Sequence, residues 1–381
     1  MQHSGLSYWE RESFMDLDIA IVGGGIVGMS VAASIKDRWP QRQVTIIERG
    51  CIPYGASTRN AGFACFGSLT EIVSDLDIMG ADQARKLLFN RWLGLKITRE
   101  RLKSYDISYE DLGGFEIVES SLANSIDRIA EINELVEDFI LDYIQLLKAT
   151  DQPGLRLNDN QHLVSMSQEG QVDTGKLLKA LHAYCISIGV EFICGSKVKN
   201  FEALNGKTSI HVKDPIRGDL ELKALQCVVC TNAFTQKLLP NIKLNPGRGQ
   251  VLITEPIDGL QFRGNLHIDE GFYYMRNVGD RILFGGGRNL DFDAENTIKF
   301  SLNNDIQHQL DQMLLKYLRL EEQPKIDIRW SGIMAFGKDK MPIVRLQKDG
   351  LIIATKMSGM GIALAGQIGE EVVGIFEENN L

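Results

Sequence analysis

Three glycines at fixed spacing, Gly23-x-Gly25-x-x-Gly28, stand between an apolar run and a helix-like run in "DIAIVGGGIVGMS". That spacing suits a dinucleotide-binding turn. The first glycine makes the tight turn, the second lets backbone approach a pyrophosphate, and the third allows close helix–strand packing. Phosphates then rest on free N–H groups at the positive end of the helix. Glu48 closes the next apolar run, "QVTIIE", twenty residues after Gly28. A carboxylate there accepts hydrogen bonds from an adenosine ribose and repels a 2′-phosphate. Near the other end, "KMSGMGIALAG" sets Ser358, Gly359 and Gly361 at a helix start. N–H groups and the helix dipole there stabilise negative charge.

These residues need a frame to hold them. The glycine pattern alone is a weak signal, and a strand before it and a helix after it give it meaning. A strand over 17–23, a helix from about 25 to 38 stopped by Pro40, and a strand over 43–48 make the strand–helix–strand unit of a parallel sheet. Helical spacing recurs over 68–105, 121–150, 173–189, 303–319 and 362–377. Asp173 or Thr174 suits the N-cap of the third of these, and Gly189 its stop. Strands are expected at 113–119, 190–195, 198–204, 209–213, 224–231 and 351–355. Alternating runs at 250–256, 270–276 and 280–286 read as an antiparallel sheet.

The expected fold class is therefore α/β, α+β overall: a discontinuous Rossmann-like domain with an inserted antiparallel-sheet-plus-helix domain. The expected segments are an N-terminal arm at 1–15, a nucleotide-binding domain at 16–80, 170–240 and 326–381, and a substrate domain at 81–169 and 241–325.

Composition narrows the class. A chain of 381 residues is too long for one compact core. Hydrophobic content of 44% and charged content of 24% are those of a globular protein. A net charge of -9 with no basic stripe argues against nucleic acid as a partner. No apolar run approaches the ~20 residues of a membrane span. The start, "MQHSGLSYWERESFMD", lacks the basic and apolar regions of a signal peptide, so a cytoplasmic protein is expected. Six scattered cysteines read as free thiols. Cys227 and Cys230 form a CxxC inside a strand, where residues three apart point to opposite faces. His3, His162, His182, His211, His267 and His308 show no metal-ligand spacing, so no metal is expected and each reads as structural or solvated.

The glycine turn fits FAD and NAD alike. The loop "YGASTRNAG", Tyr54 to Gly62, favours FAD, because small residues, an Arg and an Asn after the second strand lie along a diphosphate toward a flavin ring. At this loop the chain resembles the FAD-dependent amine and amino-acid oxidoreductases that include D-amino acid oxidase, glycine oxidase and sarcosine oxidase. The "SYW" arm near Ser7 and the "GASTRNAG" loop most resemble the gamma-glutamylputrescine oxidase-like branch. Further segments resemble that family in order: "VDTGKLLKALHAYCISIGVEFICGSKV", "VVCTNAFTQKLLP", "RWSGIMAFGKDKMPIV" and "KMSGMGIALAGQIGEEVVGIF".

The turn and the resemblance together imply the cofactor-binding residues Gly23, Gly25, Ile26, Gly28, Glu48, Arg49, Ala56, Ser57, Arg59, Asn60, Val198, Thr231, Asn232, Gly332, Ser358, Gly359, Met360, Gly361 and Ile362. Val198 corresponds to the family's backbone contact to adenine. The position of covalent flavin attachment in sarcosine oxidases corresponds roughly to Gly332, which implies non-covalent FAD.

The resemblance also implies the chemistry: hydride transfer to flavin from the carbon beside a neutral amine, then hydrolysis of the imine and reoxidation by oxygen or another acceptor. A substrate carboxylate needs a cation. Relatives place an Arg two residues after the glycine of a W-x-G motif, and here that position is Met334. The sarcosine oxidase Lys of the final glycine loop corresponds to about Ala363, and its oxygen-activating Lys to the neighbourhood Leu283-Phe284-Gly285. These departures argue against glycine, sarcosine or a simple D-amino acid. Tyr274, Arg276 and Arg288, in "FYYMR" and "FGGGR", are the catalytic candidates, with solvated strand-end charges as the alternative for each Arg. Tyr273 and Tyr274 face opposite ways, so one of them lines the site. Met334, Phe336 and Met360 suit an apolar or polyamine-like tail or, alternatively, core packing. An FAD-dependent 2-hydroxy acid dehydrogenase, a flavin-binding subunit or sensor without turnover, and an NAD-dependent enzyme remain as rivals.

Overall fold

The computed structural model describes residues 5–204 and 206–381. His3 lies outside them, as do the first four residues of the expected arm. Two eight-stranded sheets organise the chain. In the first, the order is 343–346, 351–355, 218–229, 16–22, 44–47, 190–193, with 207–214 and 197–204 continuing from 218–229. Its centre is parallel. A parallel sheet covered on both faces demands strands that are apolar throughout. Val44–Ile47 and Leu351–Thr355 meet this with every residue buried.

Helix Ile26–Arg38 covers one face of this sheet, and helix Gly361–Asn379 lies against it. The closing helix also crosses the long helix Ala81–Arg101, where Gly94 and Gly366 bring the two backbones together. Asp173 caps helix Thr174–Ser187, its carboxylate accepting from the Lys176 N–H at 2.9 Å, and Gly189 takes φ +80° just past its end.

The second sheet runs 326–336, 245–254, 281–286, 273–278, 265–268, 114–118, 162–166, 144–147. All its pairs are antiparallel except 265–268 with 114–118. Strand alternation sorts its two faces. Phe115, Ile117, Leu252, Leu266, Ile268, Tyr273, Met275, Ile282 and Phe284 pack against Ile306, Leu310, Met313 and Leu314 of helix Asn304–Tyr317. The opposite face carries Glu116, His267, Tyr274 and Arg276.

Two segments differ from the sequence reading. Strand Ile326–Phe336, assigned to the nucleotide-binding segments, pairs along Asn245–Thr254 in the second sheet. Its pattern alone could not name its partner. The expected helix over 121–150 becomes a 3-10 stretch Ser120–Arg128, a helix Ile129–Val136 and a strand Ile144–Leu147. There the Asn133 amide donates to the Ile144 carbonyl and accepts from its N–H, both at 2.8 Å. Asp142 turns the chain with φ +47°.

Cys227 and Cys230 sit in separate cores on opposite faces of their strand. All six cysteines are free. Within the arm, Tyr8–Phe14 form a helix whose Ser7 and Glu10 make a reciprocal cap. Among the described residues no helix is long and apolar enough to cross a membrane.

Candidate functional site

A cavity of about 850 Å³ opens between the two sheets. Strand Asp16–Val22 ends at its floor, so the turn that follows must face it. Gly23 holds φ +110°, and a Cβ there would lie 2.7 Å from the Cys230 carbonyl oxygen. Gly28 does not line the cavity: it packs on the Gly23 carbonyl, leaving no room for a side chain. Gly25 is the extended N-cap of helix Ile26–Arg38. The N–H groups of Gly25 and Val27 donate to no group among the described residues, whereas Ile26 N–H donates to Ser57 Oγ at 3.0 Å. Glu48 is buried beside this turn. One of its oxygens accepts from Gly24 N–H at 2.8 Å, the other from Gly50 N–H at 2.9 Å.

The loop after the second strand braces itself. Arg49 stacks 3.9 Å from the Phe234 ring centroid and donates to the Tyr54 carbonyl at 2.7 Å. Burial pulls its pKa down, against the pull of Glu48. Arg59 lies between the rings of Tyr54 and Phe300 and donates to the Ser331 carbonyl at 3.0 Å. Asn60 donates to the Ala56 and Ser57 carbonyls and accepts from Gly62 N–H. These polar ends therefore hold the loop in shape, while Ala56, Ser57, Arg59 and Asn60 all line the cavity.

Val198, Thr231, Asn232 and Gly332 line the same wall, as do Ser358, Gly359, Met360, Gly361 and Ile362 at the start of the closing helix. The oxygens Asn232 Oδ1 and Ser358 Oγ are buried without a hydrogen-bond partner. A native interior pairs its buried polar atoms, so each of these points to a missing ligand. Two helix N-termini with free N–H groups, glycines where a Cβ would collide and orphaned side-chain oxygens fit a long diphosphate-bearing cofactor.

The second sheet supplies the remaining wall. Tyr274 lines the cavity and Tyr273 joins the core behind it, as the alternation requires. Burial pushes the Tyr274 phenol up to about 12. Arg288 lines the cavity too, between Phe336 at 4.1 Å and Phe292 at 4.8 Å from its guanidinium. Its guanidinium forms no salt bridge or hydrogen bond among the described residues, and burial pulls its pKa down against the pull of Glu295. Met334, Phe336 and Met360 surround this region of the cavity.

Arg276 does not line the cavity. Although it shares a sheet face with Tyr274, the segment around Gly62 covers it: a Cβ on Gly62 would meet its guanidinium at 2.9 Å. Burial draws its pKa down to about 10. The correction is one of layering, since alternation names the face but not what lies over it.

Several polar residues on the cavity wall escaped the sequence reading. His267 is one of them, its Nε2 3.7 Å from Glu169 Oε2. Burial alone would lower its pKa, but the carboxylates of Glu169, Glu116 and Glu71 hold it above the ordinary value. Cys65 also lines the cavity, and burial pushes its thiol well up. Lys340 bridges Glu71 at 3.1 Å and Asp75 at 2.8 Å, and Arg91 reaches Glu71 at 3.2 Å. A signal was present: "FEIV" carries Glu116, and "NLHI" carries Asn265 and His267, on the inward face of strands whose other face is apolar.

A family model described as FAD dependent oxidoreductase matches residues 18–375. The probable oxidoreductase OrdL of Haemophilus influenzae is 24% identical over 381 residues, covering 93% of this chain and 81% of that protein. The gamma-glutamylputrescine oxidoreductase of Escherichia coli is 25% identical over 388 residues, covering 93% of this chain and 83% of that protein. Among solved structures, the L-proline dehydrogenase from P. horikoshii shares the fold with a TM-score of 0.77 at 19% identity, over 96% of this chain and 94% of that one. The resemblance, fold class and cofactor read from the sequence are thereby borne out. The family match takes in both sheets and most of the closing helix, and the chain belongs to the FAD dependent oxidoreductase family, an enzyme with FAD as its cofactor.

Proposed function

We propose that this enzyme oxidises a C–N bond of an amine or amino acid, the imine product hydrolysing in water and oxygen or another acceptor closing the cycle. The observation that carries the reading is Arg288, whose guanidinium makes no salt bridge or hydrogen bond among the described residues and stands in the cavity beside Phe336 and Phe292. FAD, when bound, supplies the hydride acceptor.

The protein's own residues bind and orient. The free N–H groups of Gly25 and Val27 would hold the diphosphate, and Glu48 would accept from the adenosine ribose. Val198, Thr231 and Asn232 would border the nucleotide, with segments 16–80, 170–240 and the part of 326–381 that follows strand Ile326–Phe336 as its domain. The helix start at Gly361 and Ile362 would offer free N–H groups and the positive end of its dipole to an anionic part of the cofactor. Arg288 binds a substrate carboxylate or another anionic end. Tyr274 offers its hydroxyl to the substrate, and Met334, Phe336 and Met360 pack its tail and exclude water. With Met334 at the relatives' Arg position, the carboxylate is bound from a different side of the wall.

The names of the relatives support nitrogen substrates: gamma-glutamylputrescine and proline both carry oxidisable C–N bonds. We further propose that FAD is held non-covalently, with Gly332 at the attachment position. Unpaired cysteines support the cytoplasm as the site of action.

The test is an anaerobic visible spectrum of the purified chain, before and after primary amines, secondary amines, amino acids and 2-hydroxy acids. Bleaching by one nitrogen class is expected. Bleaching by 2-hydroxy acids alone would replace the C–N reading with C–O oxidation, which the same cation serves. Bleaching by none, restored by adding a partner protein, would make the chain a subunit without turnover of its own. Colour released on acid precipitation checks non-covalent binding.

A further inference from the structure

We propose that Cys65, Glu169 and His267 form a binding site for one divalent transition-metal ion, zinc by ligand type, in the wall of the cavity. One ligand atom from each lies within 4.8 Å of the other two, and all three residues are buried. The spacing is informative. Zinc holds nitrogen and oxygen at roughly 2.1 Å, which puts two ligands of a tetrahedral ion about 3.4 Å apart. His267 Nε2 and Glu169 Oε2 are 3.7 Å apart, too long for a hydrogen bond and close to that ligand spacing. Both atoms are buried and have no hydrogen-bond partner among the described residues. Two such atoms facing each other would ordinarily close to a hydrogen bond.

The backbone brings the ligands together. Strand Phe63–Ala64 pairs antiparallel with Gly170–Gln171, Ala64 opposite Gly170, so Cys65 and Glu169 follow as neighbours across the pair. His267 comes from the second sheet, beside Glu116 on the adjacent strand. Glu169 is also oriented from behind. Its other oxygen accepts from Phe66 N–H at 2.7 Å, Gly67 N–H at 3.3 Å and the Tyr143 hydroxyl at 2.8 Å. Such outer contacts fix a metal ligand's direction.

Binding exchanges a proton for the ion. The Cys65 S–H bond breaks and a sulfur–zinc bond forms, any proton on His267 Nε2 is lost as its nitrogen–zinc bond forms, and the released protons leave to solvent, with no change of oxidation state. Cys65 and His267 both line the cavity, so the ion's fourth position faces it, open to water or a ligand oxygen. The ion would also clamp the segment after Phe63–Ala64 to the second sheet. No ligand-spacing motif announces the site, because its three residues come from three distant segments.

The experiment uses the FAD-loaded chain, dialysed against a chelator and then against micromolar zinc, with zinc per chain measured by elemental analysis. We expect one ion per chain, and retention at least about tenfold weaker in Cys65→Ser and His267→Gln. The flavin spectrum should be unchanged in both, showing intact folds. Cobalt in place of zinc should give ligand-field bands that Cys65→Ser abolishes. The exposed Cys51 serves as control, and Cys51→Ser should bind zinc as the parent does. The proposal is overturned if the parent takes up no ion, if Cys65→Ser and His267→Gln bind as well as the parent, or if Cys51→Ser is the variant that loses it. None of these readouts depends on which substrate is oxidised.

Discussion

Gly23→Ala isolates what the glycine turn requires. Two effects act together at this position. A φ of +110° is a conformation side chains rarely adopt, and holding alanine there costs about 1–3 kcal/mol. The new Cβ would lie 2.7 Å from the Cys230 carbonyl oxygen and must retreat to at least 3.4 Å, a shift of about 0.7 Å against backbone. Overpacking of this kind costs a further 1–3 kcal/mol or so. We expect a combined loss of about 3 kcal/mol, a large part of a domain's total stability. Gly23 N–H also donates to the Ile47 carbonyl at 2.9 Å, so the shift moves the turn and the N–H groups that follow it. FAD affinity should fall about 10- to 100-fold. Gly55→Ala is the matched control: the same cavity, no positive φ, and nothing within 4 Å of its Cβ. Its effect should stay within about 0.5 kcal/mol. The assay is denaturant unfolding of the apo chain and FAD titration of both variants. A Gly23→Ala chain as stable as the parent, with the parent's FAD affinity, would refute the reasoning.

Three other perturbations probe separate parts of the molecule. Arg288→Met should raise KM for anionic substrates about 10- to 100-fold and leave the FAD content unchanged, as steady-state kinetics and the absorbance ratio will report. Arg248→Met should cost about 3–5 kcal/mol in denaturant unfolding, because it strands Glu295, a fully buried carboxylate that Arg248 holds at 2.6 Å. Lys340→Met carries a pH signature. Burial alone would raise Glu71, yet Lys340 and Arg91 hold it at about 2, from an ordinary 4.5. A carboxyl lowered on folding stabilises the fold above its ordinary value, and that contribution drains away as the pH falls from 4.5 toward about 2. The melting gap between parent and Lys340→Met should therefore be widest near neutrality and narrow in acid.

The nucleotide half of the site was legible because its signals are local. Gly23 to Gly28 and Glu48 sit within one strand–helix–strand unit, where neighbours in sequence are neighbours in space. Strand alternation also placed Tyr274 toward the cavity and Tyr273 away from it. What escaped depends on contacts between distant segments. Arg276 obeys the alternation, but the chain near Gly62 covers it. Nothing in the sequence of Ile326–Phe336 names its sheet, and only its pairing along Asn245–Thr254 tells which sheet owns it. The apolar spacing after residue 129 looks helical until Asn133 takes both backbone groups of Ile144. His267 read as a lone histidine because Glu169 and Cys65 lie in other segments.

The closing helix has a consequence for how the protein is born. Strand Asp16–Val22 pairs with Val44–Ile47 on one edge and must wait for Gly218–Val229 on the other, and helix Ile26–Arg38 packs on Thr174–Ser187 and, last, on Gly361–Asn379. A ribosome adding about 5–20 residues per second takes on the order of 20–70 s between the emergence of the first strand and that of the last helix. Until Gly218–Val229 is made one edge of the first strand stays open, and until Gly361–Asn379 is made part of the helix Ile26–Arg38 face stays uncovered and one helix N-terminus of the anion cradle is missing. The cavity that would take FAD is therefore complete only once Gly361–Asn379 has been made and has docked.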